Sequence, residues 1–176
     1  MMKMFGATVL ASVLAASVTA GQSAPSGPQR ELQPLLDEEI AAANAHDTDR
    51  FLAPYLHDSS LVFVYNGMVV NGFTKLRELQ YKAWNGPPKT DAVYSTRGPD
   101  TYSVIGPNMV LATSLLGSRR TAPTGEIRTN EMVITMVWQK RPEGWRIIQA
   151  HESTLAKPPA PDSAHTTDGK AKSSSQ

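Results

Sequence analysis

The chain has 176 residues, no cysteine, and 17 basic against 16 acidic side chains. That length suits one domain with extensions at its ends. The missing cysteines exclude disulfide staples and thiolate chemistry, and the balanced charge excludes the clustered basic face that a phosphate backbone demands, so nucleic acid is not an expected partner.

Residues 1–20 read as a secretory signal: Lys3 supplies the positive start, Phe5 to Val18 an apolar run, and Val18-Thr19-Ala20 a small-residue cleavage site after Ala20. The run is too short for a span, which needs about 20 apolar residues, and no cysteine follows it to carry a lipid. The mature protein is therefore expected to be periplasmic or secreted, with no membrane attachment after signal cleavage and no charge imbalance, since Lys3 leaves with the signal. Residues 21–29 (GQSAPSGPQ) read as a flexible lead-in. Residues 157–176 open on Lys-Pro-Pro-Ala-Pro and hold almost nothing apolar, so they read as a disordered tail. The domain is expected over 30–156.

Within it, Leu32, Leu35, Leu36, Ile40 and Ala43 share one helical face, with acids assigned to the other. Pro34 is tolerated in a first turn, which places the helix start near Gln33. Asp47 caps a short second helix, Thr48 to Leu56, that turns Phe51, Leu52 and Tyr55 inward. Leu61–Tyr65, Asn66-Gly67 and Met68–Val70 predict a tight hairpin, because Asn-Gly accepts the positive backbone angles such a turn requires. Gly72 ends it, and Phe73 to Trp84 resumes helical spacing. Four strands are then expected, near Thr90–Ile105, Met109–Arg119, Thr129–Lys140 and Trp145–Glu152, with turns at Gly106-Pro107-Asn108, Ala122–Gly125 and Arg141–Gly144. Three helices and about six strands in this order predict an α+β domain whose curved, antiparallel or mixed sheet wraps the helices as a cone.

That order of elements, with the closing run Gly144-Trp145-Arg146-Ile147-Ile148-Gln149-Ala150-His151-Glu152-Ser153, resembles the SnoaL-like branch of the nuclear transport factor 2-like superfamily. The resemblance implies a cone with a small-molecule pocket and a homodimer formed through the outer sheet face. It does not choose a reaction, because this fold hosts isomerases, hydrolases, lyases and pure binders. Steroid-isomerase chemistry is not expected: the positions where that pattern needs an aspartate base and a protonated aspartate fall on Phe63 and Met136.

The same alignment points Glu152 into the pocket, on the strand face of Ile148 and Ala150. A carboxyl in apolar surroundings has a raised pKa and can exchange protons near neutral pH. His151 has the opposite parity and reads as outward-facing; it and Tyr65 are the other candidate catalytic groups. Candidate ligand contacts are Phe63, Trp84, Arg97, Met132, Met136 and Trp138. Arg119, Arg120 and Arg128, beside a Pro-Gly loop, read as a solvated rim. No histidine spacing suggests a metal, no nucleophile turn is present, and no cofactor is expected. Two readings follow: an exported binder of a small hydrophobic or weakly acidic molecule, or a cofactor-independent lyase, isomerase or hydrolase that uses Glu152.

Overall fold

The computed structural model describes residues 27–155; the signal, most of the lead-in and the tail expected from the sequence lie outside them. The first helix, α1 (Gly27–Asn44), contains Pro34 well past its first turn. It starts ahead of Gln33 because the preceding turn is anchored from outside. Glu31 accepts from Lys140 Nζ at 2.6 Å and Trp145 Nε1 at 2.8 Å, and Leu32 is fully buried. Gln33 bonds Asp100 at 2.9 Å. These contacts outweigh the backbone hydrogen bond that the proline forfeits.

Helix α2 (Thr48–Leu52) is capped by Asp47, whose carboxylate accepts from the Arg50 amide at 3.1 Å. It is shorter than expected, because the chain turns at Pro54 to bridge the sheet: Ile147 N donates to Pro54 O, and Leu56 N to Ile147 O. The hairpin is β1 (Val62–Tyr65) and β2 (Met68–Asn71), with Asn66 and Gly67 both at positive φ, 48° and 77°. Gly72, at φ 87°, passes the chain into α3 (Phe73–Asn85).

The expected first long strand is two strands, β3 (Val93–Thr96) and β4 (Thr101–Gly106), interrupted at Arg97-Gly98-Pro99-Asp100. Proline cannot donate to a ladder. Both pieces pair antiparallel with the same neighbour, β5 (Met109–Thr121). The remaining strands are β6 (Ile127–Arg141) and β7 (Gly144–Thr154). The seven-stranded sheet runs β2-β1-β7-β6-β5-β3, with β4 beside β5, and is mixed because β1 lies parallel to β7.

The sheet curves over α1 and α2, and the core lies between: Leu32, Leu52, Tyr55, Leu61, Trp138 and Ile147 are each at most 1 % exposed. Alternation along each strand sends one set of side chains to that core. A bulge breaks it on β7, where Val137 faces Gln149 but Trp138 faces Ile147. Ile148 is the extra residue, so Ile147, not Ile148, shares the inner face with Ala150 and Glu152.

Candidate functional site

Beyond the core, toward the hairpin, the inner face lines a half-open cavity of about 280 Å³. Parallel pairing sets Phe63 beside Ala150 and Tyr65 beside Glu152, so β1 and β7 deliver two aromatic rings and one carboxyl to a common wall. Strand β6 adds Asn130 and Met132, β5 adds Ser118 and Arg120, and β3 adds Tyr94. The amphipathic helix α3 closes the opposite side with Leu76, Leu79, Gln80, Ala83 and Trp84. Trp84 is held in place: its Nε1 donates to Tyr94 Oη at 3.3 Å, and its ring meets Phe51 edge-on at 4.9 Å.

Glu152 is half-buried and has no hydrogen-bond or ion-pair partner among the described residues. Burial alone pushes its pKa up. Burial also raises the Tyr94 phenol, helped by the charge of Glu152 and opposed by the Trp84 hydrogen bond and Arg120. A carboxyl without a partner in a partly dry cavity can accept or release a proton, or hydrogen-bond a ligand's carbonyl or hydroxyl group.

Of the residues expected at the site, Phe63, Tyr65, Trp84, Met132 and Glu152 line this cavity. The others lie elsewhere. His151 is exposed on the outer face, between Val64 and Thr135. Arg97 also points outward: it follows β3 three positions after the inward Tyr94, and its guanidinium pairs with Glu131. Met136 and Trp138 have the correct parity but sit too deep. Trp138 is fully buried in the core, its indole N–H without a hydrogen-bond partner among the described residues. Met136 lines a separate small cavity of about 30 Å³ under α1, room for about one water. Arg120 corrects the reading in the other direction, since it lines the main cavity instead of belonging to a purely solvated rim.

That smaller cavity contains a group absent from the expected set. Glu39, on the inner face of α1, is 6 % exposed and accepts from Tyr55 Oη at 2.9 Å. Burial pushes its pKa from the usual 4.5 to about 8; the Tyr55 hydrogen bond opposes this and the nearby Asp100 charge adds to it. The signal was present in the sequence, because Glu39 continues the spacing of Leu32, Leu36 and Ala43 and so cannot belong to the solvated acidic face.

Among the described residues no group of three or more His, Cys, Asp or Glu is arranged to hold a metal ion, and no helix is long and apolar enough to cross a membrane.

No family profile and no curated protein matches the sequence. Solved structures do match the fold. A nuclear transport factor 2-like superfamily protein from Salmonella enterica serovar Typhimurium superposes with a TM-score of 0.64 at 19 % identity, over 81 % of this chain and 96 % of its own. A ketosteroid isomerase-like protein from Erwinia carotovora atroseptica gives 0.61 at 16 % identity, over 74 % and 98 %. A nuclear transport factor 2-like protein of unknown function from Shewanella oneidensis gives 0.57 at 20 % identity, over 72 % and 98 %. The chain therefore has the nuclear transport factor 2-like fold, an α+β domain with a curved mixed sheet. At these identities the likeness extends to the fold and not to an activity.

Proposed function

We propose that this is an exported protein of the SnoaL-like kind that binds a small hydrophobic or weakly acidic molecule in its cone. The observation that carries the reading is the half-open cavity of about 280 Å³, in which Phe63, Tyr65, Trp84 and Met132 face Gln80, Ser118, Asn130 and one unpartnered carboxyl, Glu152. Ligand sites generally combine an apolar wall with a few converging polar groups, in volumes from roughly 300 Å³ upward. The size suits a ligand of one or two rings. Titration of 2-naphthamide followed by ligand-observed NMR tests it: binding should survive Glu152→Gln and weaken at least tenfold in Trp84→Ala, which removes a whole wall. Failure of 2-naphthamide and similar two-ring compounds to bind the native protein would refute it.

One observation favours a second reading, cofactor-independent proton transfer by a lyase, isomerase or hydrolase. The Glu152 carboxyl is raised by burial and lies beside Tyr65 on the adjacent strand. Such a carboxyl could take a proton from a bound carbon acid or give one to a leaving oxygen, with the Tyr65 or Tyr94 hydroxyl orienting the substrate. On this reading Glu152→Gln abolishes turnover and leaves binding intact.

The outer sheet face is proposed as a homodimer surface. Leu115 and Val133 lie side by side there, 44 % and 37 % exposed, with Leu155 at 70 % nearby. Export to the periplasm or medium rests on residues 1–20 of the sequence.

A further inference from the structure

Arg120 occupies a threshold. It lines the main cavity together with Ala83 and Thr90, and the same three residues line an adjoining, more open cavity of about 620 Å³. That outer chamber also carries Lys89 and Arg128, against one acid, Asp91. Asp91 is committed to the sheet, where its carboxylate accepts from the Thr121 amide at 2.9 Å. Arg128 has Glu126 at 3.6 Å. Neither Arg120 nor Lys89 has a carboxylate within ion-pair distance among the described residues. The entrance is therefore positive, whereas the inner end of the cavity carries the carboxyl of Glu152 and the rings of Phe63 and Tyr65.

Resting on the binding reading above, we infer that the ligand is an aromatic or alicyclic carboxylate bound with its ring inward, among Phe63, Trp84 and Met132, and its carboxylate outward on the Arg120 guanidinium. The reverse orientation would take the carboxylate away from every cation lining the cavity and set it beside Glu152, which repels it whenever that carboxyl is ionised. Outward placement lets the planar guanidinium meet the planar carboxylate through two parallel hydrogen bonds. Lys89 adds a second cation to draw the anion in. A phosphate fits less well: beyond Arg120 its second charge would fall to the Lys89 side chain alone, since Arg128 is paired with Glu126 and the strand that carries Arg120 offers no helix N-terminus.

The experiment compares 2-naphthoate with its uncharged counterpart 2-naphthamide, by titration calorimetry on the native protein and on Arg120→Ala, Arg120→Lys and Arg119→Ala. Arg119 is the neighbouring residue on the opposite face of β5, so its replacement removes the same charge outside the cavity. Native protein should prefer the acid by about fivefold, the upper end for an ion pair whose arginine is exposed. Arg120→Ala should erase that preference by weakening 2-naphthoate severalfold more than 2-naphthamide; Arg120→Lys should restore part of it, and Arg119→Ala should have no effect. Equal binding of acid and amide, equal losses in Arg119→Ala and Arg120→Ala, or tighter binding of 2-naphthyl phosphate than of 2-naphthoate would each overturn the assignment. In all three cases continued binding of the amide keeps the pocket reading intact, whereas binding of none of the probes removes both.

Discussion

Glu39 offers the sharpest test of the structure. Its carboxyl is enclosed by α1, α2 and the sheet, with a pKa moved from 4.5 to about 8. At about 1.36 kcal/mol for each tenfold change in proton affinity, that displacement corresponds to on the order of 5 kcal/mol, a large share of the roughly 5–15 kcal/mol that holds a domain folded. The sign follows from which state binds the proton. Between the unfolded value of 4.5 and the folded value of about 8, the folded chain keeps a proton that the unfolded chain has lost. This contribution to stability is therefore complete below pH 4.5 and drains away as the pH rises to about 8. Glu39→Gln preserves an acceptor for the Tyr55 hydroxyl and cannot ionise. Urea unfolding of both proteins from pH 5 to 9 should show the native chain losing about 1.4 kcal/mol per pH unit relative to the variant, with the difference levelling above pH 8. Because the Asp100 charge contributes to the shift, Asp100→Asn should move the levelling point to lower pH. A native-minus-variant difference that stays constant across the range would refute the buried, protonated carboxyl.

Two further outcomes follow from backbone and surface. Gly72 has φ 87° and ψ 145°, a region open in practice to glycine alone, so Gly72→Ala should cost about 2 kcal/mol in urea unfolding even though the new methyl would meet only ordinary contacts at Ser59; an unchanged midpoint would contradict that geometry. If the outer face pairs two copies, sedimentation equilibrium should find a dimer for the native chain and a monomer for Val133→Lys, and a native chain that is monomeric at tens of micromolar would remove that proposal.

Local chemistry made much of the fold readable in advance. Asn66-Gly67 specifies its turn without help from the rest of the chain, and Asp47 its helix start, because both rest on interactions within a few residues. Long-range effects were not readable. On local rules Pro34 marks a helix boundary; the contacts of Glu31 with Lys140 and Trp145 override it. The parallel contact of β1 with β7 has no local signature at all. For the site, the family resemblance points Phe63 and Glu152 toward the pocket and period-two alternation sets Met132 on one face with Met136 and Trp138, but neither carries information about depth, and Met136 and Trp138 lie below the cavity floor for that reason. The Ile148 bulge reset the count on the last strand, which left Glu152 facing inward and exchanged Ile148 for Ile147. Glu39 is legible from helical spacing, since it falls on the face of Leu32, Leu36 and Ala43; for Arg120 only the neighbouring chamber separates a threshold arginine from a rim.

The pairing of β1 with β7 also shapes how the chain can reach this state. Val62 finds Gln149, and Tyr55 finds Ile147, across most of the described sequence. The entropy of closing so long a loop must be met before either contact stabilises anything. A chain lacking β7 would thus hold its hairpin apart from β6, because β7 is the strand that joins the two, so the cone closes only once β7 has paired with both.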